Sequence, residues 1–378
     1  MRAVKSALLA STFLFTSTAV ATADVKVVAS IKPVHSLVAS VMQGVSEPSL
    51  LVKGAGSPHT YSLKPSQAKE LQAADIVFWM SHDLEAFLEN SIESIAKNAK
   101  AVSLMDSHGL MKLNFREGGA FDAHDHGHDD HGDDKHDDHG DDRHDDHGHD
   151  KHDDHGDDKH DDHGHDKHDD HGDDKHDDHG HDKHDDHGDD KHDDHGHDKH
   201  DETRTMTRVD PHVWLDPQNA KSLVHEIEEH LAEIDPSNAA KYEANAKAVM
   251  KKLDALTKEI EADLKPIRER GYVVFHDAYQ YFEKRFGVSA VGSITVSPEV
   301  LPGAERVSEL RDKVKSLNAS CVFSEPQFEP KLVKTITENT DAGTGVLDPL
   351  GANIKDGPEL YFTLIRNMAK SLKDCLMN

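Results

Sequence analysis

Apolar positions along this chain fall into two kinds of spacing. Val25–Ile31 is dominated by apolar residues and reads as a buried strand, and Pro33–Met42 follows it with helical spacing. Ser49–Val52 and Ile76–Trp79 read as further strands, the second preceded by a helix over about Ser66–Ala74. Towards the C-terminus, Tyr272–Phe275, Ser289–Ser293, Cys321–Ser324 and Gly345–Leu347 are short β-branched or aromatic runs separated by helical segments. A βαβα order of this kind predicts an α/β fold of two lobes, each a parallel sheet covered by helices. Between the two halves, Asp216-Pro217 and Asp235-Pro236 each carry a helix-start signal, a capping acid followed by proline in the first turn. The second opens a helix over about Ser237–Pro266 with apolar residues at Ala246, Val249, Leu253, Leu256 and Ile260. These steps of three and four keep one face apolar. At about 1.5 Å per residue the helix spans roughly 45 Å, enough to join the lobes and run along both.

Two stretches break this pattern. Residues 1–23 have a charged start at Arg2 and Lys5, an apolar stretch from Ala7 to Val20 and a small-x-small ending at Ala21-Thr22-Ala23, which predicts a cleaved secretory signal peptide. A membrane span fits less well, because the apolar run is short and broken by Ser and Thr. No Cys lies near the cleavage point, so an exported chain without a lipid or membrane anchor is expected. Residues 122–202 have almost no apolar side chain and repeat as Lys-His-Asp-Asp-His-Gly-(Asp/His)-Asp, with a basic residue at every eighth position from Lys135 to Lys199. Such a segment has no apolar surface to set against its chain entropy and is expected to be disordered without a ligand. The expected organisation is a signal peptide at 1–23, an N-terminal lobe at 24–235 that includes this tract, a linking helix at 236–270 and a C-terminal lobe at 271–378.

Charge gains meaning once it is located. The 378 residues hold 43 Lys+Arg, 73 Asp+Glu and 33 His, a formal net charge of −30. The tract alone holds 25 of the His and −27 of that charge, so the rest has an ordinary globular balance. A chain this acidic lacks the basic patches that bind phosphate, which excludes nucleic acid as a partner. With 2 Cys, neither a four-cysteine zinc site nor a disulfide-stapled mini-protein is available. In an exported protein Cys321 and Cys375 can pair, tying the C-terminal helix to a strand, or remain as two buried thiols; spacing alone does not choose.

Outside the tract the candidate ligands sit at strand ends and in constrained loops. His59 lies in Gly54–Tyr61, a Gly- and Pro-bearing loop after a strand, and His212 lies in Asp210–Pro217, a loop leading into a helix. His276 ends the strand Val273–Phe275, and Asp348 ends Gly345–Leu347. Such positions carry binding groups in α/β folds. Three imidazoles and one carboxylate form a tetrahedral set suited to Zn²⁺. His225 and His230 are five residues apart, which places them about 140° apart around a helix, so they do not share the face a zinc-protease motif needs. They read as solvated helix residues, and His82 and His108 as surface. His35, at a helix start, and Glu325, at a strand end, could orient a ligand from behind or act as ordinary capping and surface groups.

Ile31-Lys32-Pro33, Ser57–Ser66, Asp210–Leu215, Phe275–Tyr279, Ser324–Phe328 and Leu347–Leu350 together span nearly the whole mature chain. In these pieces and their order the chain resembles the periplasmic zinc-binding proteins of bacterial ABC transporters, the ZnuA-like group of the metal-binding solute receptors. The His-rich insertion before the second ligand loop matches that group as well. The resemblance implies a metal in the cleft between two lobes bridged by a long rigid helix, with His59 and His212 from the first lobe and His276 and Asp348 from the second. Zinc members carry His at the third ligand where manganese members carry Glu, so His276 implies zinc. It further implies a Cys321–Cys375 disulfide, a periplasmic monomer, and a partner made of a membrane permease with its cytoplasmic ATPase.

Capture rather than catalysis is expected, because a zinc hydrolase keeps a coordination position open and needs a general base beside the ligands. A free-standing zinc buffer would use the tract alone. The tract over 124–200, with His136, His139, His144, His147, His152 and His155 among its members, is expected to bind additional exchangeable zinc more weakly than the core, as buffer, collector or sensor.

Overall fold

A computed structural model describes residues 24–116, 121, 208–295, 303–328 and 330–377. The expected signal peptide and the His-rich tract lie outside these described residues. The first lobe comprises β1 (Val27–Ala29), α1 (Lys32–Val41), β2 (Ser49–Leu50), α2 (Pro65–Gln72), β3 (Ile76–Trp79), α3 (Ala86–Ile95) and β4 (Lys100–Ser103). Its strands pair in parallel in the order β2-β1-β3-β4, with Val28 between Ser49 and Val77. All three β1 residues are buried, as a central parallel strand covered on both faces requires. Pro33 stands in the first turn of α1, where its missing N–H has no partner to lose.

Two helices follow, α4 (Pro217–Ile234) and α5 (Ala239–Leu264). The Asp216 carboxylate caps α4 by accepting from Gln218 N at 2.9 Å. Ala246, Val249, Leu253, Leu256 and Ile260 of α5 are all buried, as their spacing predicts.

The second lobe comprises β5 (Tyr272–His276), α6 (Gln280–Phe286), β6 (Ala290–Thr295), α7 (Ala304–Ser316), β7 (Cys321–Ser324), α8 (Pro330–Thr337), β8 (Gly343–Val346) and α9 (Leu360–Leu376). Its strands are again parallel, in the order β6-β5-β7-β8. One hydrophobic cluster runs from Val27 in β1 through α4 and α5 to Leu376 in α9, so the lobes share a core along these helices. No helix among the described residues is long and apolar enough to cross a membrane.

Cys321 in β7 and Cys375 in α9 form a disulfide that spans 54 positions of sequence. Closing a loop of that size is worth about 4 kcal/mol in the chain-entropy treatment. Cys375→Ser should therefore move the urea midpoint down by a corresponding amount, and an unchanged midpoint would show that the bond contributes no stability.

Candidate metal centre

Each metal-ligating candidate is held by its own stretch of sequence. After β2 the chain turns at Gly54, whose φ of 65° favours glycine, and runs into a short 3-10 turn over Pro58–Thr60. Ser57 Oγ accepts from His59 N at 3.3 Å, and Gln67 and Tyr61 both donate to Leu51 O, which fixes the base of this loop. His212 precedes the turn Val213–Leu215. Its segment is paired to the end of the first lobe: Asp210 N donates to Leu113 O at 2.9 Å and Phe115 N to Arg208 O at 3.1 Å. His276 is the last residue of β5, at the C-terminal end of a central strand.

These three segments bring His59, His212 and His276 together. Their ring centroids are 5.5, 5.8 and 5.4 Å apart, and one ligand atom from each lies within 4.8 Å of the other two. His212 and His276 are buried, whereas His59 is half-buried. Ser57, Pro58, Trp214, Glu325, Gln327, Phe328, Pro349 and Leu350 complete the pocket wall. Trp214 is itself fixed, because its Nε1 donates to Pro349 O at 2.9 Å and its carbonyl accepts from Tyr361 Oη at 2.6 Å.

Carboxylates stand behind two of the rings. His212 Nδ1 meets Asp210 Oδ1 at 2.7 Å, and His276 Nδ1 meets Glu325 Oε1 at 2.7 Å. Each contact assigns the proton to Nδ1 and the lone pair to Nε2, and it increases the basicity of that lone pair. Nε2 of His276 is buried without a hydrogen-bond partner, as suits a ligand atom awaiting a cation. Burial pushes the Asp210 carboxyl up to about 7, against the pull of His212 N, Gln280 and Arg116. Burial is the largest single influence on His276 and acts to lower its pKa, but the carboxylates of Glu325, Asp277 and Asp210 together outweigh it and the net direction is upward. Three convergent imidazoles with carboxylates behind two of them fit a borderline-soft dication such as Zn²⁺.

One expected ligand stands apart. Asp348 does not join the converging ligand atoms. Its Oδ1 accepts from Leu350 N, Gly351 N and Gln327 Nε2 at 3.1, 2.8 and 3.0 Å, and its Oδ2 from Ala352 N at 2.7 Å. The carboxylate is spent on the turn that it opens. His35, left open between orienting a ligand and an ordinary role, stands in α1 with its Nε2 at 3.0 Å from Pro48 O, just ahead of β2. Glu325, left open in the same way, lies behind the His276 ring. Asp210 was not among the candidates, although an acid two residues before a loop His, with Pro between, is the available signal. His225 and His230 lie on α4 beside Glu228, Glu229, Glu226 and Glu233 and belong to no such group.

Residues 27–375 match the family described as "Zinc-uptake complex component A periplasmic". The chain is 52% identical to a high-affinity zinc uptake system protein of Brucella abortus over 378 residues, covering 100% of this chain and 99% of that one. It is 37% identical to the protein of the same description in Haemophilus influenzae over 354 residues, 94% of each chain. The crystal structure of a ZnuA superposes with a TM-score of 0.63 at 21% identity, covering 94% of this chain and 100% of that one. A receptor from Pseudomonas aeruginosa in complex with Mn²⁺ gives 0.64 at 16% identity, covering 94% and 99%. These two likenesses concern the fold alone.

Proposed function

Because this chain belongs to the family of periplasmic zinc-uptake components, we propose that it captures zinc in its cleft through His59, His212 and His276 and delivers it to an ABC-type importer. It is a zinc-binding solute receptor and not an enzyme. The observation that carries the ligand assignment is the convergence of three imidazoles within 4.8 Å, one following a first-lobe strand, one following the tract and one ending a second-lobe strand. Asp210 and Glu325 accept from Nδ1 of two of the three imidazoles, which orients those rings and strengthens their Nε2 lone pairs toward a dication. With Asp348 engaged in its turn, the protein supplies three ligands, and the receptor assignment rests on the family rather than on a closed coordination sphere. Fewer protein ligands suit a receptor that must release its ion again. The His/Asp tract binds further exchangeable zinc as a collector, a role supported by its composition and repeat.

Metal and protons compete for the same nitrogen atoms. Since His276 is raised above 6.5, that competition begins above pH 6.5 and strengthens as pH falls. Zinc affinity should decline steeply between pH 8 and pH 6, with proton release on binding, as measured by calorimetry in buffers of different ionisation enthalpy. Equal affinity and no proton release over that range would remove the imidazoles from the ligand set.

A further inference from the structure

Two side chains that are not ligands are connected to both ligand-bearing segments. Gln280, the first residue of α6, is buried, and its Nε2 donates to Asp210 Oδ2 at 2.6 Å and to Asn114 O at 3.1 Å. Asp210 Oδ1 in turn holds His212 by its ring and by its backbone N at 2.9 Å. Gln280 belongs to the same strand–turn–helix unit as His276, so this bond runs from the second lobe's ligand unit to the first-lobe ligand. Arg116 makes the reciprocal crossing. It follows the short pairing of Asn114 with Val209, and its guanidinium reaches Asp277, the residue after His276, with Nε at 2.9 Å from Oδ2. Its Nη1 donates to Glu283 on α6 at 2.8 Å. Asp277 and Glu283 are 3% and 4% exposed, and one guanidinium serves both. Tyr281 Oη, next to Gln280, adds a bond to Asp210 O at 2.7 Å.

We propose that Gln280 and Arg116 are positioning residues for zinc capture, forming a brace across the cleft that sets the spacing of His212 and His276 before the ion arrives. This rests on the three-histidine reading above. A site assembled from two lobes binds with an affinity reduced by the fraction of molecules in which the ligands are in place, and a brace raises that fraction. Residues that orient ligands from behind typically change metal affinity ten- to a hundredfold.

A contact of the same kind on the same helix provides the control. Arg285 of α6 crosses to Asp216, the cap of α4, at 2.6 and 2.7 Å, without touching a group bonded to a ligand ring. The test uses the full chain in chelator-buffered zinc, so that the tract does not set the free concentration. Occupancy is read from the fluorescence of Trp214, whose ring lies 5.2 Å from that of His212. Gln280→Leu should weaken zinc binding roughly ten- to a hundredfold, with Arg116→Met acting in the same direction. Arg285→Met should lower the unfolding midpoint and leave the zinc Kd unchanged. Because Gln280 acts through Asp210, Asp210→Asn combined with Gln280→Leu should bind zinc no more weakly than Asp210→Asn alone. A wild-type Kd in Gln280→Leu, additive losses in the double variant, or an equal loss in Arg285→Met would each overturn the brace. Unchanged zinc binding in His212→Ala would instead overturn the three-histidine reading.

Discussion

Replacing His212 by alanine is expected to lower zinc affinity at the core site by two to three orders of magnitude and to abolish growth on limiting zinc, even with the His-rich tract intact. Four-ligand zinc sites are worth roughly 10–16 kcal/mol, or on the order of 2.5–4 kcal/mol per ligand. Each 1.4 kcal/mol is about a factor of ten in Kd. His212 is also the ligand through which Asp210 acts, so the substitution strands a buried carboxylate as well as removing a nitrogen. His82→Ala is the matched control, since His82 is exposed and pairs with Glu89 near the surface. Complementation of a strain lacking its own copy reads the outcome directly. Growth of the His212→Ala strain at wild-type rates on limiting zinc would mean that the tract, not the triad, carries the function.

The fold was legible because parallel strands buried on both faces leave dense apolar runs. β1, β3, β5 and β7 all fall where such runs occur. β4 and α3 were not anticipated, and their composition explains it: Val102 is the one buried residue of Lys100–Ser103, and Leu88 that of Ala86–Ile95. An edge strand and a surface helix leave little apolar signal. The three imidazoles were legible for a different reason, because Gly, Pro and strand ends mark where a parallel fold opens its cleft. Asp348 occupies the same kind of position, yet a short carboxylate at a strand end serves equally as a ligand or as the acceptor for a turn. Only the directions of Leu350 N, Gly351 N and Ala352 N distinguish the two. Asp210–Gln280 and Arg116–Asp277 join residues 70 and 161 positions apart, and no local spacing encodes such contacts.

Deleting residues 124–200 is expected to remove most of the zinc that the protein binds while leaving the core Kd within a few-fold of wild type. The deleted stretch holds 25 His and most of the acidic excess, and each repeat places two His around two Asp, so three or four donors can gather on one ion from adjacent repeats. Fixing the backbone around each ion costs roughly 1–2 kcal/mol per residue ordered. The core site has its rings set by Asp210 and Glu325 and bears no such cost. Tract sites should therefore be the weaker class, filling after the core and emptying first when free zinc falls. They should also empty on mild acidification, because imidazole ordinarily protonates near pH 6.5 and a weaker site has less binding free energy to set against that competition. Calorimetry at pH 7.5 should show one tight site plus several weaker ones in the full chain, and the tight site alone after deletion. The same titration at pH 5.5 should show the weaker class largely lost. An unchanged stoichiometry after deletion would leave the tract without a metal role. A deletion that weakened the tight site by orders of magnitude would place tract histidines among its ligands.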